Sequence, residues 1–263
     1  MAEAIITAEG LGYQLGSRYL LKDINWNIEK NSRWLVIGMN GSGKTTLLSI
    51  LAGYRMYNHG NLKYRNISYD AQDVFEIRKK MGWVSNSFYD QVYHNESVLD
   101  MLLSGLSGTY GAREKLAEDG RYVAKIKLLL KYMGLSDCLD VPFSWLSKGE
   151  RQAVLIIRAL LGEPEVMVFD EPMTGLDVLA REQIRRLIEL LVERRQHTMI
   201  YVTHHFDEVS AKLFDKCILL KQGVVYQQGN IEDIFRSEVI SNFLNVPTQV
   251  SQDMRGYYSL SFM

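Results

Sequence analysis

The strongest constraint on the fold is a glycine-rich turn between an apolar run and a helical stretch. The segment Gly38-Met39-Asn40-Gly41-Ser42-Gly43-Lys44-Thr45 fits the pattern G-x-x-x-x-G-K-[ST]. It follows the apolar residues 34–37 and opens a helical stretch, 44–52, that Gly53 is expected to end. Glycines let backbone N–H groups turn inward around phosphate oxygens, and a helix N-terminus adds a favourable dipole. The sequence therefore predicts a phosphate-binding loop between a strand and a helix.

This loop assigns nucleotide contacts to individual residues. We expect Lys44 to reach the β- and γ-phosphates and the Thr45 hydroxyl to ligate Mg²⁺. The residues expected to hold the nucleotide here are Gly38, Asn40, Gly41, Ser42, Gly43, Lys44, Thr45 and Thr46. The loop therefore implies a nucleoside triphosphate and Mg²⁺ as ligands.

Composition excludes several classes of protein. The 263 residues carry 30 Lys+Arg against 31 Asp+Glu, so the net charge of -1 gives no strong nucleic-acid signal. No stretch reaches the roughly 18 apolar residues that cross a bilayer, and the N-terminus does not read as a signal peptide. Cys138 and Cys217 form no metal or redox motif, which favours a reduced, intracellular protein.

The order of strand-like and helical segments predicts an α/β fold. Strand-like runs occupy much of the first forty residues, and residues 54–86 mix short strand-like runs with polar turns. A helical pattern fills about 97–135, and strands alternate with helices from 150 onward. Such alternation favours a parallel sheet with helices packed on it. We expect short helices after Gly229 and a loose end over 251–263.

A second chemical motif is a buried strand that ends in two carboxylates, Asp170 and Glu171. Taken alone, this segment could equally be a core strand followed by a solvated acidic turn. Downstream of a phosphate loop, it is better interpreted as a metal-site strand. Asp170 would hold Mg²⁺ through water, and Glu171 would act as the general base on the attacking water.

Four further segments make a family recognisable. Leu146-Ser147-Lys148-Gly149-Glu150 resembles the signature motif of ABC-type ATPases, usually written LSGGQ. Gly175-Leu176-Asp177 resembles their D-loop, and Thr203-His204 resembles their switch histidine. Tyr13 matches the aromatic residue that stacks on adenine. The resemblance runs from about residue 5 to 235, and it is the ordered set of motifs that makes it specific.

The resemblance implies a fold and a domain plan. The fold is a P-loop NTPase of ABC type, with a mostly parallel core sheet, an antiparallel β region and an inserted helical subdomain. One ABC ATPase domain would cover 1–250, with a RecA-like core at 1–86 and 146–235 and the helical subdomain at about 87–145. Residues 236–263 would form a C-terminal tail.

The resemblance also implies roles for the remaining motif residues. Ser147 and Gly149 would contact the γ-phosphate bound to a second copy of the chain, and Asp177 would join that nucleotide contact. His204 would contact the γ-phosphate and the water held by Glu171. A histidine such as His205, next to this position, is interpreted as a solvated neighbour.

Three positions depart from the family pattern. Lys148 replaces a glycine and Glu150 replaces a glutamine, and we expect neither change to destroy the site. Asn86 stands where the family has the Q-loop glutamine, and its amide is one methylene shorter. Because Mg²⁺ requires ligands at about 2.0–2.1 Å, Asn86 serves as a metal ligand only if the loop moves inward or a water bridges the gap.

The tryptophans are expected to pack rather than to bind. Trp26, Trp34 and Trp83 lie in apolar strand-like runs and are interpreted as core residues. Trp145 directly precedes the signature-like segment; it could help to orient it, but packing is the preferred interpretation.

Two functions from different classes remain open. The first is the nucleotide-binding subunit of an ABC transporter, which closes as a head-to-tail dimer around two ATP and drives a separate transmembrane permease from the cytoplasmic face of the membrane. The second is a soluble ABC ATPase in DNA repair, translation or cofactor assembly; the run 31–34 and Asn86 look similar to a single-cassette molybdate- or photorepair-like subgroup. A GTPase is disfavoured because no Asn-Lys-x-Asp element is present.

Overall fold

A computed structural model describes residues 3–69, 74–85, 96–107, 120–193 and 197–263. The chain forms two compact units, one of Met1–Ile77 with Arg195–Met263 and one of Arg78–Arg194. The strands are β1 (Ala4–Leu15), β2 (Arg18–Glu29), β3 (Arg33–Ile37), β4 (His59–Tyr64), β5 (Ile67–Ser68), β6 (Met81–Ser85), β7 (Val166–Asp170), β8 (Thr198–Thr203), β9 (Lys216–Lys221), β10 (Val224–Asn230), β11 (Thr248–Gln252) and β12 (Tyr258–Phe262). The helices are α1 (Lys44–Leu51), α2 (Val74–Lys79), α3 (Val98–Ser107), α4 (Gly120–Tyr132), α5 (Lys148–Leu161), α6 (Val178–Glu193), α7 (Ile231–Ile234) and α8 (Ser237–Leu244), with short 3₁₀ turns at Ser136–Cys138, Phe143–Trp145 and Phe206–Glu208.

The first unit contains an antiparallel sheet in the order β2-β1-β4-β5. From Ile24 to Ile28, β2 alternates buried and exposed side chains, as expected of a sheet with one face on the core. Trp26 from β2 is buried and contacts the ring of Trp34 edge-on, with centroids 5.3 Å apart. The expected antiparallel region and the core placement of both tryptophans are confirmed.

The same unit holds the strand that leads into the phosphate loop. β3 pairs in parallel with β8 on one side and with β9 on the other, and β10 returns antiparallel to β9. The residues 34–37 of β3 are all buried, because a parallel strand with neighbours on both edges also has both faces covered. The Arg33 guanidinium forms an ion pair with Asp215, which fixes the start of β3 beside the start of β9.

The second unit combines two parallel strands with helices. β6 pairs with β7 in a register that sets Ser85 opposite Asp170. α3 packs closely on α5, since a side chain at Gly105 would lie 2.2 Å from the Arg158 carbonyl oxygen. Helices α3 and α4 occur between β6 and α5, which agrees with the expected helical insertion. The proposed boundaries of that insertion and of the whole domain remain predictions.

The expectation of a loose C-terminal end is wrong. Residues 248–262 form a β-hairpin in which Thr248 pairs with Phe262 and Gln252 with Tyr258. The hairpin is tied to the rest of its unit because Tyr258 donates its N–H to the Val209 carbonyl (2.9 Å) and stacks on the Phe235 ring at 4.5 Å. The exposed side chains of the two strands are mostly serine and glutamine, and this polar pattern does not indicate strands in the sequence.

Two other expectations are corrected. Residues 54–86 were expected to mix short strand-like runs with polar turns, but the helix α2 forms within them. Trp145 is 79% exposed in its unit and does not pack as expected. Within the described residues, no helix is both long enough and apolar enough to cross a membrane.

Candidate functional site

The phosphate loop connects β3 to α1 in a conformation that requires glycine at two points. Gly43 has φ 103°, and a side chain there would lie 2.8 Å from the Leu20 carbonyl oxygen. At Gly38 a Cβ would lie 2.3 Å from Ser42 Oγ and 2.7 Å from the Leu220 carbonyl oxygen. α1 begins directly after Gly43, so the first-turn N–H groups of α1 face the loop without intrahelical acceptors.

The loop also holds polar atoms that a bound anion would satisfy. Lys44 is only 6% exposed, and its ammonium donates to the carbonyl oxygens of Gly38 (2.8 Å) and Met39 (3.3 Å). Ser42 Oγ is buried and has no hydrogen-bond partner among the described residues. Burying a hydroxyl without a partner costs stability, so this atom fits a site built for phosphate oxygens. The Thr45 side chain is exposed at the start of α1, where a hydroxyl is accessible to a metal ion.

Sequence reasoning missed a turn that supports this loop. Gln222 and Gly223, both with positive φ, join β9 to β10, and the Gly223 N–H donates to the Ser42 carbonyl at 2.9 Å. Gly223 in turn accepts from the Lys22 N–H at 2.8 Å, which ties the turn to β2. Gly223 between two strand-like runs was the available signal, because a two-residue hairpin turn of type I′ has positive φ at both central residues and glycine adopts positive φ readily.

Tyr13 lies on β1 near the phosphate loop. It pairs across the sheet with Leu21, whose Cδ2 would be 2.9 Å from a Cβ at Gly43. The Tyr13 side chain is half-buried, so part of its ring is open to solvent. A second tyrosine near the start of the chain, Tyr19, contacts the His59 ring, with centroids 5.6 Å apart. This arrangement supports Tyr13 as the residue that meets a base.

His204 follows the last residue of β8. Because Ile37 pairs with Thr203 in parallel register, His204 comes directly after the strand position that neighbours the start of the phosphate loop. The centroids of the His204 and His205 rings lie 4.0 Å apart, and the backbone N–H of His205 donates to Thr203 Oγ1 at 3.0 Å. Both rings are half-buried, and the choice of His204 rests on the family pattern.

In the second unit, Asp170 is the last residue of β7 and Glu171 follows it in a different environment. Asp170 is buried and accepts a hydrogen bond from Ser85 Oγ at 3.4 Å. Glu171 adopts a left-handed backbone with φ 51°, which costs a residue other than glycine about 1–2 kcal/mol. Thr174 donates its N–H to the Glu171 carbonyl (3.2 Å) and its hydroxyl to Glu171 Oε2 (3.5 Å). Ser85 was not among the predicted site residues; it holds the Asp170 carboxylate.

The predicted metal ligand Asn86 lies outside the described residues. Its role therefore stays a prediction, although the preceding residue Ser85 is described and is buried beside Asp170.

The signature-like segment forms a reciprocal cap on α5. Ser147 Oγ accepts from the Glu150 N–H (3.3 Å), and Glu150 Oε2 accepts from the Ser147 N–H (2.8 Å). This capping box explains why glutamate is tolerated at 150. Gly149 is required for close packing, because a Cβ there would lie 2.6 Å from the Ala180 Cβ. The exposed Lys148 extends towards Gly175, where a Cβ would lie 3.6 Å from its Nζ.

Asp177 caps the N-terminus of the helix α6. Its Oδ1 accepts from the N–H groups of Leu179 and Ala180, both at 2.9 Å, which caps the start of α6. Its predicted part in nucleotide binding remains a prediction.

Comparison with known proteins identifies the family. The family described as ABC transporter matches residues 21–174. The uncharacterised ABC transporter ATP-binding protein YlmA of Bacillus subtilis (strain 168) is 33% identical over 94% of this chain and 93% of its own length. The structure of cbiO1 from Clostridium perfringens, part of the ABC transporter complex cbiONQ, has a TM-score of 0.73 at 26% identity, covering 92% of this chain and 95% of that one.

A further solved structure captures a nucleotide-bound state. It is the dimeric post-hydrolysis state of the ATP-binding cassette MJ0796 bound to ADP and Pi, with a TM-score of 0.72 at 27% identity over 86% of this chain and 98% of that one. The family match covers more than half of the chain, and the relatives align with almost its whole length. The chain therefore belongs to the ABC transporter family, as an ATP-binding and ATP-hydrolysing cassette.

Proposed function

We propose that this cassette is the motor subunit of an ABC transporter, closing as a dimer around two ATP and coupling Mg²⁺-dependent hydrolysis to a separate permease. The observation that carries the proposal is the phosphate loop. Its buried Lys44 ammonium lies beside the first turn of α1, as does the Ser42 hydroxyl, which has no hydrogen-bond partner in the part of the chain that the structure describes. This is the chemistry that a triphosphate requires.

The first unit would bind the nucleotide. Lys44 would exchange its bonds to loop carbonyls for bonds to the β- and γ-phosphates, and the N–H groups of the loop would hold the remaining oxygens. The Tyr13 ring would stack on adenine, and the His204 imidazole would donate to the γ-phosphate. The Thr45 hydroxyl would help to hold Mg²⁺, whose positive charge would offset charge on the phosphates.

The second unit would supply the general base. Glu171 would accept a proton from the attacking water, while Thr174 fixes one carboxylate oxygen. Ser85 would keep the Asp170 carboxylate oriented, because the buried serine hydroxyl donates to it. The left-handed backbone at Glu171 supports a functional role, since such strain is often found at active sites.

The signature segment would act on a nucleotide held by the partner copy. Ser147 and Gly149 lie at the capped start of the 14-residue helix α5, whose dipole favours an anion. Lys148 would add positive charge at the same place. The dimeric state of the MJ0796 cassette supports this arrangement for a chain of the same family.

A permease partner is supported by relatives. The YlmA relative is named an ABC transporter ATP-binding protein, and the cbiO1 neighbour is part of a transporter complex. A chain that works in this way would be peripheral on the cytoplasmic face of the membrane.

The test is recovery of an integral membrane subunit. Affinity-tagged Glu171→Gln protein is purified from detergent-solubilised membranes with ATP, and Lys44→Ala serves as the matched control. We expect one membrane protein in fixed ratio with the Glu171→Gln variant. Recovery of the ATP-loaded cassette without any integral membrane protein would favour the non-transport ABC ATPase instead.

A further inference from the structure

Arg55 makes three contacts that join the Tyr13 ring to helix α1. Its Cζ lies 5.3 Å from the centroid of the Tyr13 ring, and its Nη1 donates to the Tyr13 hydroxyl at 3.4 Å. From the same guanidinium, Nε donates to Ser49 Oγ at 3.2 Å. One planar group therefore touches both an aromatic side chain of β1 and a side chain of α1.

The backbone of Arg55 is fixed to the helix that starts at the phosphate loop. The Ser49 carbonyl accepts from the N–H groups of Tyr54 (2.8 Å) and Arg55 (2.9 Å), directly after a left-handed Gly53. The Ser49 hydroxyl donates to the Thr46 carbonyl at 2.9 Å. Because the backbone N–H and the guanidinium of Arg55 both donate hydrogen bonds to Ser49, the guanidinium has a defined position beside the tyrosine ring.

We propose that Arg55 is a positioning residue that holds the Tyr13 ring ready to stack on the base of ATP. The proposal rests on the assignment of Tyr13 to the base under the proposed function. The guanidinium would support one face of the phenol ring, and the base would stack on the other. Ordering the ring before ATP arrives lowers the entropy lost on binding.

Arginine is suited to this task and lysine is not. The guanidinium is planar and donates in several directions at once, so it can stack on a ring while bonding to Ser49 and to the tyrosine hydroxyl. An ammonium would keep the charge near the ring but lose this fixed geometry. Arg55→Lys should therefore restore only part of what Arg55→Ala loses.

The experiment compares a ligand that has a base with one that lacks it. The Kd values of ATP and of inorganic triphosphate are measured by calorimetry without Mg²⁺, so that no hydrolysis occurs. We expect Arg55→Ala to raise the Kd of ATP by about two- to fivefold, the range of an exposed cation–π contact. The Kd of inorganic triphosphate should stay unchanged, and in the hydrolysis assay KM should change more than kcat.

A matched control removes a positive charge elsewhere. Arg255→Ala takes one arginine from the exposed turn of the C-terminal hairpin in the same unit and should bind both ligands as the parent does. In the double variant Tyr13→Ala/Arg55→Ala, the loss for ATP should equal that of Tyr13→Ala alone, because Arg55 acts through the ring.

The outcomes separate the two levels of the proposal. If Tyr13→Ala binds ATP like the parent, the base platform itself is wrong. If Tyr13→Ala weakens ATP binding but Arg55→Ala does not, only the role of Arg55 is overturned. An equal loss for ATP and inorganic triphosphate in Arg55→Ala would also overturn it, because the residue would then act on the phosphates or on the fold.

Discussion

The contact between Gly149 and Ala180 provides a sharp test of how the signature helix is held. A Cβ at Gly149 would lie 2.6 Å from the Ala180 Cβ, whereas carbon atoms pack at about 3.5–4.0 Å. Gly149→Ala must therefore move the starts of α5 and α6 apart by roughly 1 Å. The capping pair of Ser147 and Glu150 at the start of α5 would move with it.

The expected size of the effect follows from three terms. In Gly149→Ala, overpacking lowers the free energy of unfolding by about 1–3 kcal/mol, and the higher helix propensity of alanine raises it by about 1 kcal/mol. The net loss of stability is therefore up to about 2 kcal/mol. Ala180→Gly alone loses about 1 kcal/mol of helix propensity. The double variant removes the overlap and moves one alanine from position 180 to position 149. Its free energy of unfolding should therefore be close to that of the parent.

The assay measures the free energy of unfolding in urea and the rate of ATP hydrolysis for the parent, both single variants and the double variant. Because a displacement of about 1 Å at a reacting site can cost 10²-fold, Gly149→Ala should slow hydrolysis by roughly ten- to a hundredfold, and Ala180→Gly should restore it in the double variant. Losses that simply add in the double variant would refute the close contact.

Three other experiments test separate parts of the molecule. Lys44→Ala should leave the chain folded but lower ATP affinity or turnover by at least about tenfold, since a hydrogen bond to a charged group contributes about 1.5–3 kcal/mol; near-parental turnover would contradict the phosphate-loop assignment. Asn86→Ala should slow hydrolysis at saturating Mg²⁺ and Asn86→Gln should keep or raise it, whereas equal rates for Asn86→Ala and the parent would remove Asn86 from the metal site. Burial raises the pKa of the Cys217 thiol, so this thiol should resist a thiol reagent at neutral pH until the protein unfolds. The half-buried Cys138 should react earlier, and fast reaction of both thiols in the native protein would disprove the burial of Cys217.

The local motifs could be predicted from the sequence because their chemistry is local. The phosphate loop depends on glycines and a lysine within eight residues, and the Ser147 cap depends on a glutamate three residues later. The strand β7 could be predicted because four consecutive apolar residues precede Asp170, its last residue, and Glu171 follows.

Features that depend on distant residues could not be predicted. The C-terminal hairpin is stabilised by bonds to Val209 and by the Phe235 ring, which lie outside the hairpin sequence. Arg55 reaches Tyr13 only through strand register and the turn after α1. Trp145 was expected to pack because tryptophan usually does, but whether a side chain finds neighbours is decided by tertiary structure.

The central claim is that two copies of the chain close around ATP, and sizing with light scattering tests it directly. Glu171→Gln keeps the shape of the side chain but cannot accept a proton, so ATP with Mg²⁺ should trap the closed form. We predict the mass of two 30.2-kDa chains with ATP, one chain with ADP, and one chain with ATP when Ser147→Arg is added. A Glu171→Gln protein that binds ATP and still has the mass of one chain at high concentration would contradict a self-sufficient dimer.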